Sequence, residues 1–196
     1  VNEHVFAGLS DGRAGLWDLE SRGVNSLPSS TPIMAGEVPI VASIGSGFIH
    51  EQRAIYHISS THIPFSAAVS ELKPPAAHPE ENSLVMANLN GDRLWSWRGP
   101  HQIQGVTLAT DKKRIIAGAG KRLSDQRRDL FGALVFTLGD EDEGAKKPKL
   151  ERFCRTESPV FFRTASTADR RIAVTEHPTQ HGKEPVQGEY RVTVFR

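Results

Sequence analysis

The apolar residues of this chain come in short runs, and this rhythm constrains its fold more than any other feature. The runs are about four to seven residues long and are broken by Gly, Pro, Ser, Asn and Asp. The 196-residue chain contains 17 Gly and 12 Pro, which supply frequent turns. Helical periodicity, with apolar residues at positions i, i+3 and i+4, is nearly absent. The pattern predicts many short β-strands joined by turns.

The clearest predicted hairpin lies at the start of the chain. Residues 4–19 (HVFAGLSDGRAGLWDL) contain two apolar runs on either side of a polar turn. In this turn Asp11-Gly12 supplies the positive φ angle that a tight hairpin needs. Residues 83–97 (SLVMANLNGDRLWSW) repeat the arrangement, with Asn90-Gly91 at the turn and aromatic residues at a similar distance beyond it. Both segments therefore predict antiparallel strand pairs.

Two further segments share the order of strand, polar turn and second strand. Their turns are nearly alike, TDKK within residues 105–118 and TADR within residues 160–175. A third strand is predicted after each of them, at 133–138 and at 190–195. Three more apolar runs between residues 38 and 72 predict the strands of another sheet.

The opening hairpin resembles a blade of the WD-repeat β-propeller family, because Gly12, Trp17 and Asp18 match the blade signature. Asp18 is the only aspartate of the chain that follows a tryptophan, and the Gly-His dipeptide typical of the family is missing. The resemblance implies an all-β fold, namely a β-propeller-like array of about four antiparallel four-stranded blades. A propeller of another family is the alternative.

The repeated units predict one domain, a partial propeller covering residues 1–196. The chain begins at a second strand and ends at a third strand of a blade, so we expect it to be part of a larger propeller. Unpaired strand edges would make the isolated segment oligomeric or poorly soluble. Segments rich in Pro, Gly or charge predict inserted loops at 73–82, 121–129, 139–149 and 177–189.

Composition narrows the classes of partner. The 24 basic and 23 acidic side chains give a net charge of +1, which creates no general field toward nucleic acid or an anionic membrane. No apolar run approaches the ~20 residues that span a bilayer, so no membrane contact is predicted. Cys154 is the single cysteine, so an internal disulfide is excluded and an intracellular location, cytoplasmic or nuclear, is favoured. We expect its thiol to be a small buried hydrophobe, and the flanking arginines leave a reactive thiol as the alternative.

Motifs for catalysis or metal binding are not found in the sequence. Gly45-Ser46-Gly47 lacks the spacing of a hydrolase nucleophile motif, and Gly118-Ala119-Gly120 lacks that of a phosphate-binding loop, so both predict turns at strand ends. His50 and His57 flank a glutamate, but no cysteine cluster completes a metal site. The sequence therefore predicts a protein that is not an enzyme, with no cofactor, metal or small-molecule substrate.

Basic residues cluster in the turns that precede equivalent strands, and such turns fall on one rim of a propeller. The predicted basic rim consists of Lys112, Lys113, Arg114, Lys121, Arg122, Arg170 and Arg171. Propellers of the resembled family imply a non-catalytic scaffold for protein–protein interactions within a multiprotein complex. The alternative function is a nucleic-acid-binding propeller subunit that uses the basic rim. A purely structural explanation is also open, namely that these basic residues lie in solvent-exposed turns beside acidic residues and bind nothing.

Overall fold

Short β-strands make up most of the described structure. The computed structural model describes residues 4–8, 14–27, 33–35, 38–62, 79–120, 128–138, 147–166, 171–178, 180, 183 and 185–196. The strands in chain order are β1 (His4–Gly8), β2 (Ala14–Asp18), β3 (Val24–Ser26), β4 (Ile33–Ala35), β5 (Val38–His50), β6 (Arg53–His62), β7 (Ser83–Asn88), β8 (Arg93–Arg98), β9 (Ile103–Leu108), β10 (Arg114–Ala119), β11 (Gly132–Thr137), β12 (Lys149–Arg155), β13 (Val160–Ser166), β14 (Ile172–Glu176) and β15 (Arg191–Phe195). A single 3-10 turn, Arg128–Leu130, is the only helical element among these residues.

Each sheet is an antiparallel meander in which strands that follow one another in the chain lie side by side. Sheet A has the order β1-β2-β3, sheet B β4-β5-β6-β7-β8, sheet C β12-β11-β10-β9 and sheet D β13-β14-β15. This is the strand order of a propeller blade. The predicted all-β, propeller-like fold class is confirmed, with three to five strands in a sheet instead of a uniform four.

The chain divides into two compact units, residues 1–97 and residues 98–196. In the first unit, Leu16 and Leu27 from sheet A and its flank join a core with Tyr56 and Val85 of sheet B. Phe6 meets the Tyr56 ring edge-on at a centroid distance of 6.0 Å. Sheet A therefore buries one of its faces against sheet B.

The core of the second unit lies between sheets C and D. Ile116 and Val135 of sheet C cluster with Val160, Ile172 and Val174 of sheet D, all of them buried. The alternation along β14 is regular, because Ile172, Val174 and Glu176 are buried while the residues between them are partly exposed. Sheet D therefore has one face against the core and one face turned away from it.

Most of the predicted strand pairs are present. The strands on either side of the TDKK turn pair as β9 and β10, and those beside the TADR turn pair as β13 and β14. Gly91 has a φ of 92° and its N–H donates to the Asn88 carbonyl at 3.1 Å, as a hairpin turn at Asn90-Gly91 requires. The Asp11-Gly12 turn and the predicted strand at 64–72 lie outside the described residues.

The predicted loops agree with the structure only in part. Residues 79–82 form a turn, whereas Lys149, predicted to end a loop, begins strand β12. The Gly45-Ser46-Gly47 segment, predicted as a turn, lies inside the long strand β5, so that prediction was wrong. The assignment of the whole chain to one partial propeller stays a prediction.

Candidate functional site

A row of three apolar side chains crosses the outer face of sheet A. Trp17 on β2 lies directly opposite Val5 on β1 and Val24 on β3. Val5, Trp17 and Val24 are 39%, 42% and 43% exposed. Directly opposed residues of an antiparallel sheet share a face, so the three side chains form one continuous strip. We call this strip the Trp17 row.

The alternation of β2 turns Trp17 outward. Its neighbour Leu16 is fully buried in the core of the first unit, and successive strand residues point to opposite faces. Gly15 leaves the space that Val24 occupies, because a Cβ at Gly15 would lie 2.5 Å from Val24 Cγ1. The row is therefore packed along the sheet as well as exposed.

Asp18 organises the turn that brings β3 beside Trp17. Its Oδ1 accepts hydrogen bonds from the backbone N–H groups of Glu20, at 2.9 Å, and Ser21, at 3.3 Å. The Ser21 hydroxyl donates to Oδ2 at 2.8 Å, and this bond is the main reason that the pKa of Asp18 lies below its usual value. The Asp18 N–H donates to the Gly23 carbonyl at 2.9 Å, which closes the turn. Of the predicted blade signature, Trp17 is thus part of the exposed row, and Asp18 holds the turn that brings β3 beside it. Gly12 lies outside the described residues.

Not every residue of the predicted basic rim is exposed. In the turn between β9 and β10, Arg114 donates from Nε to Asp111 Oδ2 at 2.8 Å and lies 2.6 Å from it through Nη2. Arg114 is buried, so it holds the turn and is not an accessible cation. Burial raises the pKa of Asp111, but the bonds from the Lys113 N–H and from Arg114 outweigh this effect, so the pKa is lowered.

The remaining rim residues are either exposed or not described. Lys112 and Lys113 are exposed in the β9–β10 turn, and Arg171 is exposed just before β14. The other three members lie outside the described residues, namely Lys121, Arg122 and Arg170. The described residues therefore include two neighbouring exposed lysines in one turn and one exposed arginine before β14, and both their common rim and their role in binding stay predictions.

His57 on β6 is a buried structural histidine. Its Nδ1 lies 3.1 Å from Ser46 Oγ, and the β5–β6 register shifts between Ile44 and Ser46. A Cβ at Gly45 would come 2.1 Å from His57 Nε2, so the imidazole occupies the space that this glycine leaves at the bulge. Burial lowers the pKa of His57 to about 4 and keeps the ring neutral. The Ser46–His57 pair is therefore explained by packing at the bulge, where His57 is only 3% exposed.

The cysteine thiol and the possible metal ligands do not form a reactive site among the described residues. Cys154 is buried in the core of the second unit, and burial raises the pKa of its thiol although Arg152 partly opposes this. The prediction that Cys154 is a small buried apolar residue is therefore confirmed. Among the described residues, no group of three or more His, Cys, Asp or Glu side chains is arranged to hold a metal ion.

Sequence reasoning did not identify a second exposed apolar strip, on β15. Tyr190, Val192 and Val194 are 77%, 68% and 56% exposed. The sequence YRVTVF predicted the strand, but its apolar residues fall on both faces and so did not reveal which face the core covers. The alternation of Arg191 and Thr193 with the valines showed that the valines share a face, but it favoured burial of that face.

No protein-family model matches this chain, and no curated protein is significantly similar to it. Within the described residues, no helix is both long and apolar enough to span a membrane.

Proposed function

We propose that this chain is a non-catalytic scaffold that binds other protein subunits within a multiprotein complex, with the Trp17 row as a contact surface. The observation that carries the proposal is the in-register exposure of Val5, Trp17 and Val24. Contiguous exposed apolar side chains are typical of protein-interaction sites. Tryptophan is enriched at interfaces and among the residues that contribute most to binding.

The surroundings of the row favour a protein partner. Leu19, two residues after Trp17 at the start of the next turn, is a further exposed apolar residue, at 49%. The turn after it is polar and exposed, with Glu20 and Ser21. An apolar centre beside a polar margin is the usual arrangement of a protein–protein contact. A flat strip across three strands fits another sheet or helix face better than a small molecule, which is bound in a concave pocket.

We also propose that the chain is a degenerate WD-like propeller. The blade-like meanders and the Trp17-Asp18 dipeptide support this assignment. The single buried cysteine is consistent with an intracellular scaffold that uses no disulfide and no cofactor. The basic rim supports nucleic-acid binding less well, because Arg114 is consumed by its ion pair with Asp111.

Site-specific photo-crosslinking tests the proposal. A photoreactive residue at Val24, beside Trp17, should label defined protein partners in cells, and one at Val186 serves as the control because Val186 is an equally apolar, exposed residue in the other unit. The identified partner is then purified, and Trp17→Ser is expected to weaken its binding at least tenfold, as for a central interface tryptophan. Labelling equal to the control, or unchanged affinity in the purified variant, would contradict the proposal.

A further inference from the structure

Four exposed lysines from two distant parts of the sequence lie at one end of sheet C. The strand register brings them together, because Arg114, at the start of β10, lies opposite Thr137 on β11, and Thr137 lies opposite the first residue of β12. The turn before β10 and the start of β12 are therefore neighbours. We call the four residues the lysine cluster, namely Lys112, Lys113, Lys147 and Lys149.

The backbone of the lysine cluster is held in place by the sheet. The Leu138 N–H donates to the Lys113 carbonyl at 2.7 Å, and the Thr137 hydroxyl donates to the Lys149 carbonyl at 3.3 Å. Pro148, between the two lysines that lead into β12, is buried. The lysine side chains are therefore presented to solvent from a fixed backbone.

The positive charge of the lysine cluster is not offset by ion pairs. Asp111 lies in the same turn as two of the lysines, but Arg114 binds its carboxylate at 2.6 Å. Glu151 follows Lys149 by two residues on β12. Among the described residues, no ion pair joins a lysine of the cluster to Glu151 or to another carboxylate. The cluster can therefore offer its cations to an anionic ligand.

The side chains at this end of sheet C suit a chain of phosphates better than a protein surface. Within the described residues there, Leu150 is the one large apolar side chain that is exposed, at 38%. Protein–protein interfaces usually have an apolar centre, which this end lacks. Lysine binds phosphate as a point charge and needs no such centre.

We propose that the lysine cluster binds the phosphate backbone of nucleic acid without reading its sequence. Strands β10 and β12 are two strand spacings apart, which is about 10 Å. A nucleic-acid duplex carries one charge per about 1.7 Å of its axis, so this span faces several phosphates. Contacts to phosphate alone carry no sequence information. The cluster lies in the second unit and the Trp17 row in the first, so this activity does not depend on the proposed scaffold function.

Carboxylates elsewhere in the sequence limit the affinity. Residues 140–143 (DEDE), which lie outside the described residues, connect β11 to β12 in the sequence. Their negative charge opposes the approach of an anion. We therefore expect weak binding, in the range of about 10⁻⁴ to 10⁻⁶ M that is typical of contacts to the phosphate backbone alone.

Fluorescence polarisation over a series of salt concentrations tests the proposal, with a labelled mixed-sequence DNA duplex and a labelled single-stranded RNA as probes. For the duplex, four lysine–phosphate contacts predict a slope of log association constant against log salt of about −3 to −4. Lys113→Gln/Lys149→Gln should raise the dissociation constant about tenfold or more at low salt and reduce the magnitude of the slope by about 2. The probe that binds more tightly identifies which polymer the cluster prefers.

Matched variants separate the lysine cluster from the charge of the whole chain. Arg155→Gln/Lys183→Gln removes two exposed cations elsewhere in the same unit, Arg155 being at the far end of β12 opposite Gly132, and should change binding little. Lys113→Arg/Lys149→Arg retains both charges and should bind like the wild type. Replacement of the four carboxylates at 140–143 by amides should tighten binding. Circular dichroism verifies that the sheets of each variant are intact.

Three results would overturn the proposal. The first is a wild-type chain that binds neither probe at low salt. The second is an equal loss of affinity in Lys113→Gln/Lys149→Gln and in Arg155→Gln/Lys183→Gln, which would trace binding to net charge. The third is binding of labelled poly-glutamate as tightly as of the nucleic acids and with the same dependence on the cluster, which would make an acidic protein segment the ligand.

Discussion

The buried imidazole of His57 makes the stability of the first unit depend on pH. Burial against the β5 bulge lowers the folded-state pKa of His57 from 6.5 to about 4. Between these two values the unfolded chain binds a proton that the folded chain does not bind. The free energy of unfolding is therefore undiminished above pH 6.5 and falls as the pH decreases toward 4.

The size of this effect follows from the two pKa values. One pKa unit corresponds to about 1.4 kcal/mol, so the full loss is about 3 kcal/mol once the pH is below the folded-state pKa. At pH 5 the loss is about 2 kcal/mol, and at about pH 7.5 it is negligible. Such a loss is a substantial fraction of the stability of a small domain.

Urea unfolding followed by tryptophan fluorescence measures this loss in the correct unit, because Trp17, Trp95 and Trp97 all lie within residues 1–97. His57→Gln removes the titrating group and keeps a polar atom within reach of Ser46. The variant is expected to be less stable at about pH 7.5, but the further loss on going to pH 5 should be smaller than in the wild type by about 2 kcal/mol.

Gln52→Asn, in the exposed turn between β5 and β6, leaves every titratable group in place and serves as the control. It should retain the wild-type difference in stability between the two pH values. If His57→Gln loses as much stability as the wild type between them, the assignment of the acid sensitivity to His57 is refuted.

Two further substitutions test buried polar groups. The Tyr56 hydroxyl is buried in the first core and has no hydrogen-bond partner among the described residues. Tyr56→Phe should therefore leave the free energy of unfolding unchanged or raise it by about 1 kcal/mol. A clear loss of stability in a urea titration would contradict this account. Glu176→Gln replaces a carboxylate that accepts from Ser158, Glu157 and Thr193, so it should cost about 2 kcal/mol or more. The exposed Glu189→Gln is its control, and equal losses of the thermal midpoint in the two variants would contradict the special role of Glu176.

Most of the strands that the sequence predicted pack apolar residues into a core, whereas the predicted strand β15 leaves Val192 and Val194 exposed. The turns beside the predicted strands contain Asp or Asn side chains that bond to the backbone, as Asp111 and Asn88 do. Strand β12 was missed because its sequence, KLERFCR, has no apolar run: as an edge strand it buries only Cys154 completely. A charged edge strand satisfies its hydrogen bonds on one side alone, so hydrophobic patterning gives little sign of it.

The surfaces were harder to predict than the strands. The composition of the β9–β10 turn indicated three neighbouring cations, but Arg114 is directed to Asp111, which lies three residues before it. Trp17 was recognised as a signature residue, yet its exposure depends on which face of sheet A meets sheet B. Alternation gives two faces for each strand, and only the packing of one sheet on another decides which of them is buried.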